Sequence, residues 1–230
     1  TPGCPWFDRC GACQWLALGY GRQLQQKDAM LRHALRHHLD HASVEPLVPA
    51  DPTLGYRHRG DFHAHASPGG LRLGFHEESS HRLVEASGCL LFAPAFRASV
   101  ERVRHALADT PAAVFLDRLT LASSEGREEA TVAHAWTRPG ISAQDAAALA
   151  RCMMAAGLEA ALATDGARVL ASEGTPYLQF GVPGPQGDLL LSAEIRSFTQ
   201  AHFPMNRRLV ETALDWVRAQ NAIGQAELEA

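Results

Sequence analysis

Three cysteines crowded into one short stretch, Cys4, Cys10 and Cys13, constrain this chain more than any other feature. Their spacing is Cys-x5-Cys-x2-Cys, and a further cysteine, Cys89, follows Gly88 far downstream. Cys10 and Cys13 can reach one metal centre from a tight turn, with Gly11 between them letting the backbone bend close to it. Cys4 closes the loop from the other side, after Pro5, and Cys89 suits a ligand delivered from a second element. Soft sulfur ligands favour an iron–sulfur cluster or zinc. The spacing does not choose between them. The chain has five cysteines, an odd count, and no visible secretory leader, which argues against a disulfide framework. The fifth, Cys152, lies in the apolar run Ala-Arg-Cys-Met-Met-Ala-Ala and reads as a core residue of a helix. Trp6 and Trp15 bracket the cysteine loop. They read either as a shield between the centre and solvent or as ordinary packing.

Composition narrows the function classes. The net charge of −4 excludes a uniformly basic nucleic-acid binder and leaves room for a local basic patch. No run of 18 apolar residues exists, so no membrane span is expected, and a cytoplasmic monomer is. With 46% hydrophobic residues in 230, a substantial core is available.

Periodicity gives an α+β pattern with a mostly antiparallel sheet. The opening, through Gln14, is a loop. Residues 20–41 read as a helix with Leu24, Met30, Leu31, Leu35 and Leu39 at helical spacing. His37, His38 and His41 suit that helix's C-terminal end. Residues 43–55, with three prolines, read as a linker. Strands are expected over 57–66 and 71–75 around Ser67-Pro68-Gly69-Gly70, with Phe62 in the core. Phe96, Val100, Val103 and Leu107 mark one face of a helix over 94–108. Paired strands over 114–122 and 130–136 flank Ser-Ser-Glu-Gly-Arg. Ser142 is a candidate N-cap for a helix running to Gly157. Short strands alternate with turns over 158–194, and an amphipathic helix is expected over 206–220.

Arg57 and Arg59 alternate with Tyr56 and His58 at a strand start. They read as a solvated strand face or as RNA contacts, for which the guanidinium fork is suited. Arg72 and Arg82 flank the same hairpin and extend the patch.

The stretch from Cys4 to Trp15, Cys-Pro-Trp-Phe-Asp-Arg-Cys-Gly-Ala-Cys-Gln-Trp, closely resembles the cluster loop of the bacterial SAM-dependent RNA (uracil-5-)-methyltransferases, particularly those acting on 23S ribosomal RNA. Tyr20 with Gln23 and Lys27, the run Gly55 to Arg59, Leu73-Gly74-Phe75 with Ser80-His81-Arg82 leading to Cys89, and Phe198-Thr199-Gln200 fit the same family in the same order. The resemblance implies a 4Fe-4S cluster on Cys4, Cys10, Cys13 and Cys89 within an antiparallel-sheet central domain that helps hold ribosomal RNA. It implies an iron–sulfur and RNA-binding region over 1–197, whose helix over 16–41 packs on the methyltransferase domain. The opening helices of a Rossmann-like methyltransferase domain follow over 198–230, truncated before the SAM glycine loop. It also implies that Gln200 contacts S-adenosyl-L-methionine (SAM). The family has Asn where this chain has His202, and many relatives carry a small OB-like domain ahead of the cysteine loop.

In this family a cysteine adds to C6 of uracil, C5 takes the methyl group from SAM, and a carboxylate removes the C5 proton. No Asp-x-x-x-Gly-x-Gly stretch occurs here, and the run from Gly181 to Gly187 reads as a hairpin loop. The 230 residues therefore offer no catalytic candidate, and the isolated chain is expected to be inactive. The alternative reading is a stand-alone iron–sulfur or zinc RNA-binding protein.

Overall fold

The computed structural model describes residues 3–38, 44–67, 70–85, 88–184 and 186–228. A seven-stranded sheet runs in the order β3-β2-β1-β4-β5-β6-β7. Its strands are β1 (Arg59–Ser67), β2 (Gly70–His76), β3 (Leu83–Glu85), β4 (Leu116–Ser124), β5 (Arg127–Thr137), β6 (Ala160–Asp165) and β7 (Arg168–Glu173). Helices α2 (Pro94–Ala108) and α3 (Ala143–Ala155) pack against the sheet and each other.

All strand pairs in this sheet are antiparallel except β5 with β6. Parallel neighbours need a crossover, and α3 supplies it. β1 alternates: Gly60, Phe62 and Ala64 face the core, while Asp61 and His65 are exposed. The expected core stripe of α2 is buried in full, with Phe96 and Leu107 at 0% exposure. Phe62 is equally buried and packs against Phe92, ring centroids 5.5 Å apart. Ser142 caps α3 as expected: its Oγ accepts the Asp145 amide at 3.0 Å and donates to the Asp145 carboxylate at 2.7 Å. Gly157, at φ +86°, closes that helix.

Gly74 has no room for a side chain, since a Cβ there would collide with the Val84 carbonyl on β3. Cys152 is half-buried. It packs on the core, and its thiol donates to the Ala106 carbonyl at 2.9 Å, tying α3 to the end of α2.

Three expectations are corrected at this point. The first helix, α1 (Tyr20–Leu35), ends earlier, and its apolar stripe buries no residue. Leu39 and His41 lie outside the described residues, as do Ser43, Pro68 and Gly69. Val114 belongs to a 3-10 turn over Pro111–Phe115, ahead of β4. The run from Gly181 to Gly187 is only partly loop. Gly181–Gly184 finish β8 (Tyr177–Gly184), and Gly187 opens β9 (Gly187–Glu194).

β8 and β9 form a separate two-stranded sheet. It hangs from the end of β4: the Glu125 amide donates to Gln179 O at 2.8 Å, and the Gln179 amide donates to Ser124 Oγ at 3.0 Å. The last helix, α4 (Phe203–Leu228), begins before the expected Asn206 and packs along β8. Among the described residues no helix is long and apolar enough to cross a membrane.

Candidate functional site

The cysteine loop is folded by its own turns and then docked on the end of β2. The Cys10 amide donates to Trp6 O at 2.7 Å, and the Gly11 amide to His76 O at 3.0 Å. Arg9 anchors the loop from outside through the Glu77 carboxylate, at 3.0 Å. Gly11 is required here for a reason other than bending toward a metal. A Cβ at that position would stand 3.0 Å from the Glu78 amide nitrogen and 3.1 Å from the His76 carbonyl, so the close approach of loop to strand leaves little room for a side chain.

Cys89 comes from the segment ahead of α2, which is stitched to the segment ahead of β1. The Arg57 amide donates to Leu91 O at 2.8 Å, and the Ala93 amide to Arg57 O at 3.1 Å. The result is that Cys4, Cys10, Cys13 and Cys89 line a single cavity. Its other walls are mainly apolar: Trp6, Phe7, Phe75, Leu91 and Phe92. All five cysteines are free thiols. Burial pushes the Cys13 thiol up, and the neighbouring Cys89 and Cys10 add to it, against the opposing pull of Arg57. Burial also pushes Cys89 up. Thiols raised in this way bind metal only by giving up their protons, which a cationic centre drives.

Two residues that line this cavity each carry a buried polar atom without a partner. Trp6 Nε1 and Arg57 Nε are buried with no hydrogen bond. An unsatisfied buried donor costs about 1–3 kcal/mol. Among the described residues, no three His, Cys, Asp or Glu side chains are grouped as ligands of a single ion.

The four arginines expected on RNA part company. Arg57 lines the cysteine cavity. Arg59 has a side chain only 14% exposed, and it donates to Ser197 O at 2.9 Å. Arg72 and Arg82 stay at the surface, paired with Glu85 at 2.9 Å and with Glu77 at 3.4 Å. Trp6 stands in the cavity wall. Trp15 instead lines a neighbouring pocket with Tyr56, Lys27 and His202, and the Lys27 ammonium lies 5.8 Å from its ring centre. His38 follows the end of α1, its amide donating to Leu35 O at 2.7 Å.

Gln200 is exposed just before α4, on a depression shared with Val48, His202, Met205 and Leu209. His202 Nδ1 accepts the Met205 amide at 3.3 Å, and Nε2 lies 3.0 Å from Pro52 O. One neutral tautomer, with the proton on Nε2, satisfies both. The ring therefore caps α4 and ties it to the proline-rich segment, a role that spacing alone did not reveal. His58 was missed as well. It is buried, and its ring lies on that of Phe203 with centroids 3.3 Å apart.

No family model matches the chain. Similarity to curated proteins is extensive. The 23S rRNA (uracil(1939)-C(5))-methyltransferase of Salmonella paratyphi A is 28% identical over 228 residues, 97% of this chain and 49% of that protein. The chain is a homologue of these methyltransferases. It matches their amino-terminal part and spans about half their length. The corresponding enzyme of Halomonas elongata is 28% identical over 94% of this chain and 45% of its own. An uncharacterised RNA methyltransferase of Thermosynechococcus vestitus is 28% identical over 112 residues, 48% of this chain and 25% of its own.

Proposed function

We propose that this chain is part of a 23S rRNA (uracil-5-)-methyltransferase, which transfers a methyl group from SAM to C5 of a uridine. In this reading its residues supply a 4Fe-4S cluster and RNA binding, in the cytoplasm. One observation carries the proposal: cysteines far apart in sequence line one cavity in a chain whose homologues are named for that activity.

The donor set fits the cluster. It offers four soft sulfurs in apolar walls, with two N–H groups left without oxygen acceptors. A single zinc ion would draw thiolates to about 2.3 Å from one point. A four-iron cluster gives each cysteine its own iron and tolerates a wider set. When bound, it would act as a cross-link between the opening loop and the Cys89 segment, adding its binding free energy to that of folding.

Toward RNA, we assign phosphate contacts to Arg72 and Arg82. Both guanidinium groups are solvent-exposed, and the exposed Arg72–Glu85 pair contributes only about 0–1 kcal/mol, so a phosphate can take over the guanidinium. Arg59 instead fixes Ser197, just ahead of the segment leading to Gln200. We read residues 1–197 as the cluster and RNA region, and 198–230 as the opening of a methyltransferase domain. Gln200, at the mouth of α4, is then positioned for SAM. The test is a competition between a 23S rRNA fragment and transfer RNA for the anaerobically prepared chain. Preference for the ribosomal fragment is expected, and equal competition by transfer RNA would contradict the assignment.

A further inference from the structure

The cysteine cavity holds a cation whose purpose the RNA reading does not supply. Arg57 is fixed by backbone pairing with the Cys89 segment on both sides, through Leu91 O and the Ala93 amide. Its side chain lines the thiol cavity, and its Nε is buried without a partner. Trp6 faces the same cavity from the opening loop. Its Nε1, also buried and unpartnered, lies 3.5 Å from where a Cβ on Gly88 would stand, beside Cys89. Two buried N–H donors without partners thus belong to residues that line one cavity with four thiols and apolar groups. Glu85 reaches that wall too, and its carboxylate accepts from Arg72 at 2.9 Å.

We propose that Arg57 Nε and Trp6 Nε1 donate hydrogen bonds to the sulfur atoms of a cluster held by Cys4, Cys10, Cys13 and Cys89, with Arg57 as its counter-charge. The inference rests on the cluster reading above. Guanidinium is always charged and weakly hydrated, which suits it to a partly dry site. N–H···S bonds and nearby positive charge favour the more negative, reduced state and raise the potential of an iron–sulfur centre. Arg57 therefore acts as a positioning and tuning residue for the cluster.

The experiment uses the whole chain, loaded anaerobically. Iron and sulfide are counted first, and the cluster's reduction potential is then measured in an electron-paramagnetic-resonance titration. Arg57→Leu is expected to keep four irons and to shift the potential to a more negative value. We expect a change of about tenfold in the one-electron equilibrium, or about 59 mV. Arg57→Lys, which keeps the charge and loses the fork, should fall between. Trp6→Phe keeps a ring and removes only the N–H, so it should shift the same way by less. If Arg57→Leu does not load iron, Arg57→Lys and Trp6→Phe decide. Four-iron variants with the unsubstituted protein's potential would overturn the inference and leave the cluster standing. An unsubstituted chain without iron would overturn the cluster reading and this inference with it.

Discussion

Tyr56 and His202 stack with ring centroids 4.4 Å apart and planes 20° from parallel. The contact joins the strand-leading segment of the cysteine region to the residue that caps α4. His202→Ala removes the cap and the stack together. We expect a loss of about 1 kcal/mol or somewhat more, the usual range for a lost cap. His202→Asn keeps a capping side chain and should lose less. Urea denaturation of the three proteins checks this, and equal midpoints for His202→Ala and the unsubstituted chain would contradict it.

Gly74 and Gly11 are places where backbone meets backbone. Gly74→Ala drives a methyl group into the Val84 carbonyl and should destabilise by about 1–3 kcal/mol or more. Gly11→Ala presses on Glu78 and His76 and should loosen the cysteine loop specifically. The expected signature is faster alkylation of Cys10 and Cys13 with little change in the thermal midpoint. Unchanged alkylation rates would show that the loop absorbs the extra methyl group.

Two buried histidines set an acid limit. Burial holds His58 down to about 3 and His134 down to about 4, against an unfolded value of about 6.5. Above about pH 6.5 both are neutral in either state, and their contribution is complete. As pH falls below that, the unfolded chain takes up protons that the folded chain refuses. Stability then drops, by up to about 1.4 kcal/mol per pH unit for each residue, until the folded values are reached. Unfolding midpoints at pH 7.5, 6.0 and 5.0 should fall in that order, and His58→Phe should flatten the slope. A midpoint that holds constant from pH 7.5 to 5.0 would show that these rings ionise freely in the fold.

Arg72→Ala and Arg82→Ala should weaken ribosomal RNA binding and each reduce the salt slope by about one. Arg59→Ala should instead act on the order of residues 197–202. A filter-binding titration across salt concentrations separates the two. Full affinity and slope in the Arg72, Arg82 double variant would place the RNA face elsewhere.

Locally encoded features were legible in the sequence. The stripe from Phe96 to Leu107 and the Ser142 cap depend on side chains three and four residues apart, and both stand as expected. The β5–β6 pair was not legible, because a period of two says which face is buried and nothing about a neighbour's direction. The stripe of α1 gave the helix but not its burial, since burial needs a partner surface that periodicity does not contain. At the site, resemblance and spacing together brought the four cysteines to one cavity. The alternation of Arg57 with Tyr56 suits a solvated strand face or an RNA contact. A bridge to Phe92 also brings Arg57 to the thiol cavity, and no local pattern encodes that bridge.

The most direct test is a metal count. The chain would be purified without oxygen and assayed for iron, acid-labile sulfide and zinc, beside Cys89→Ser. We expect about four irons and four sulfides per chain, lost in the variant although Cys89 is remote in sequence from the other three. Stoichiometric zinc without iron, or neither metal in a folded chain, would contradict the cluster.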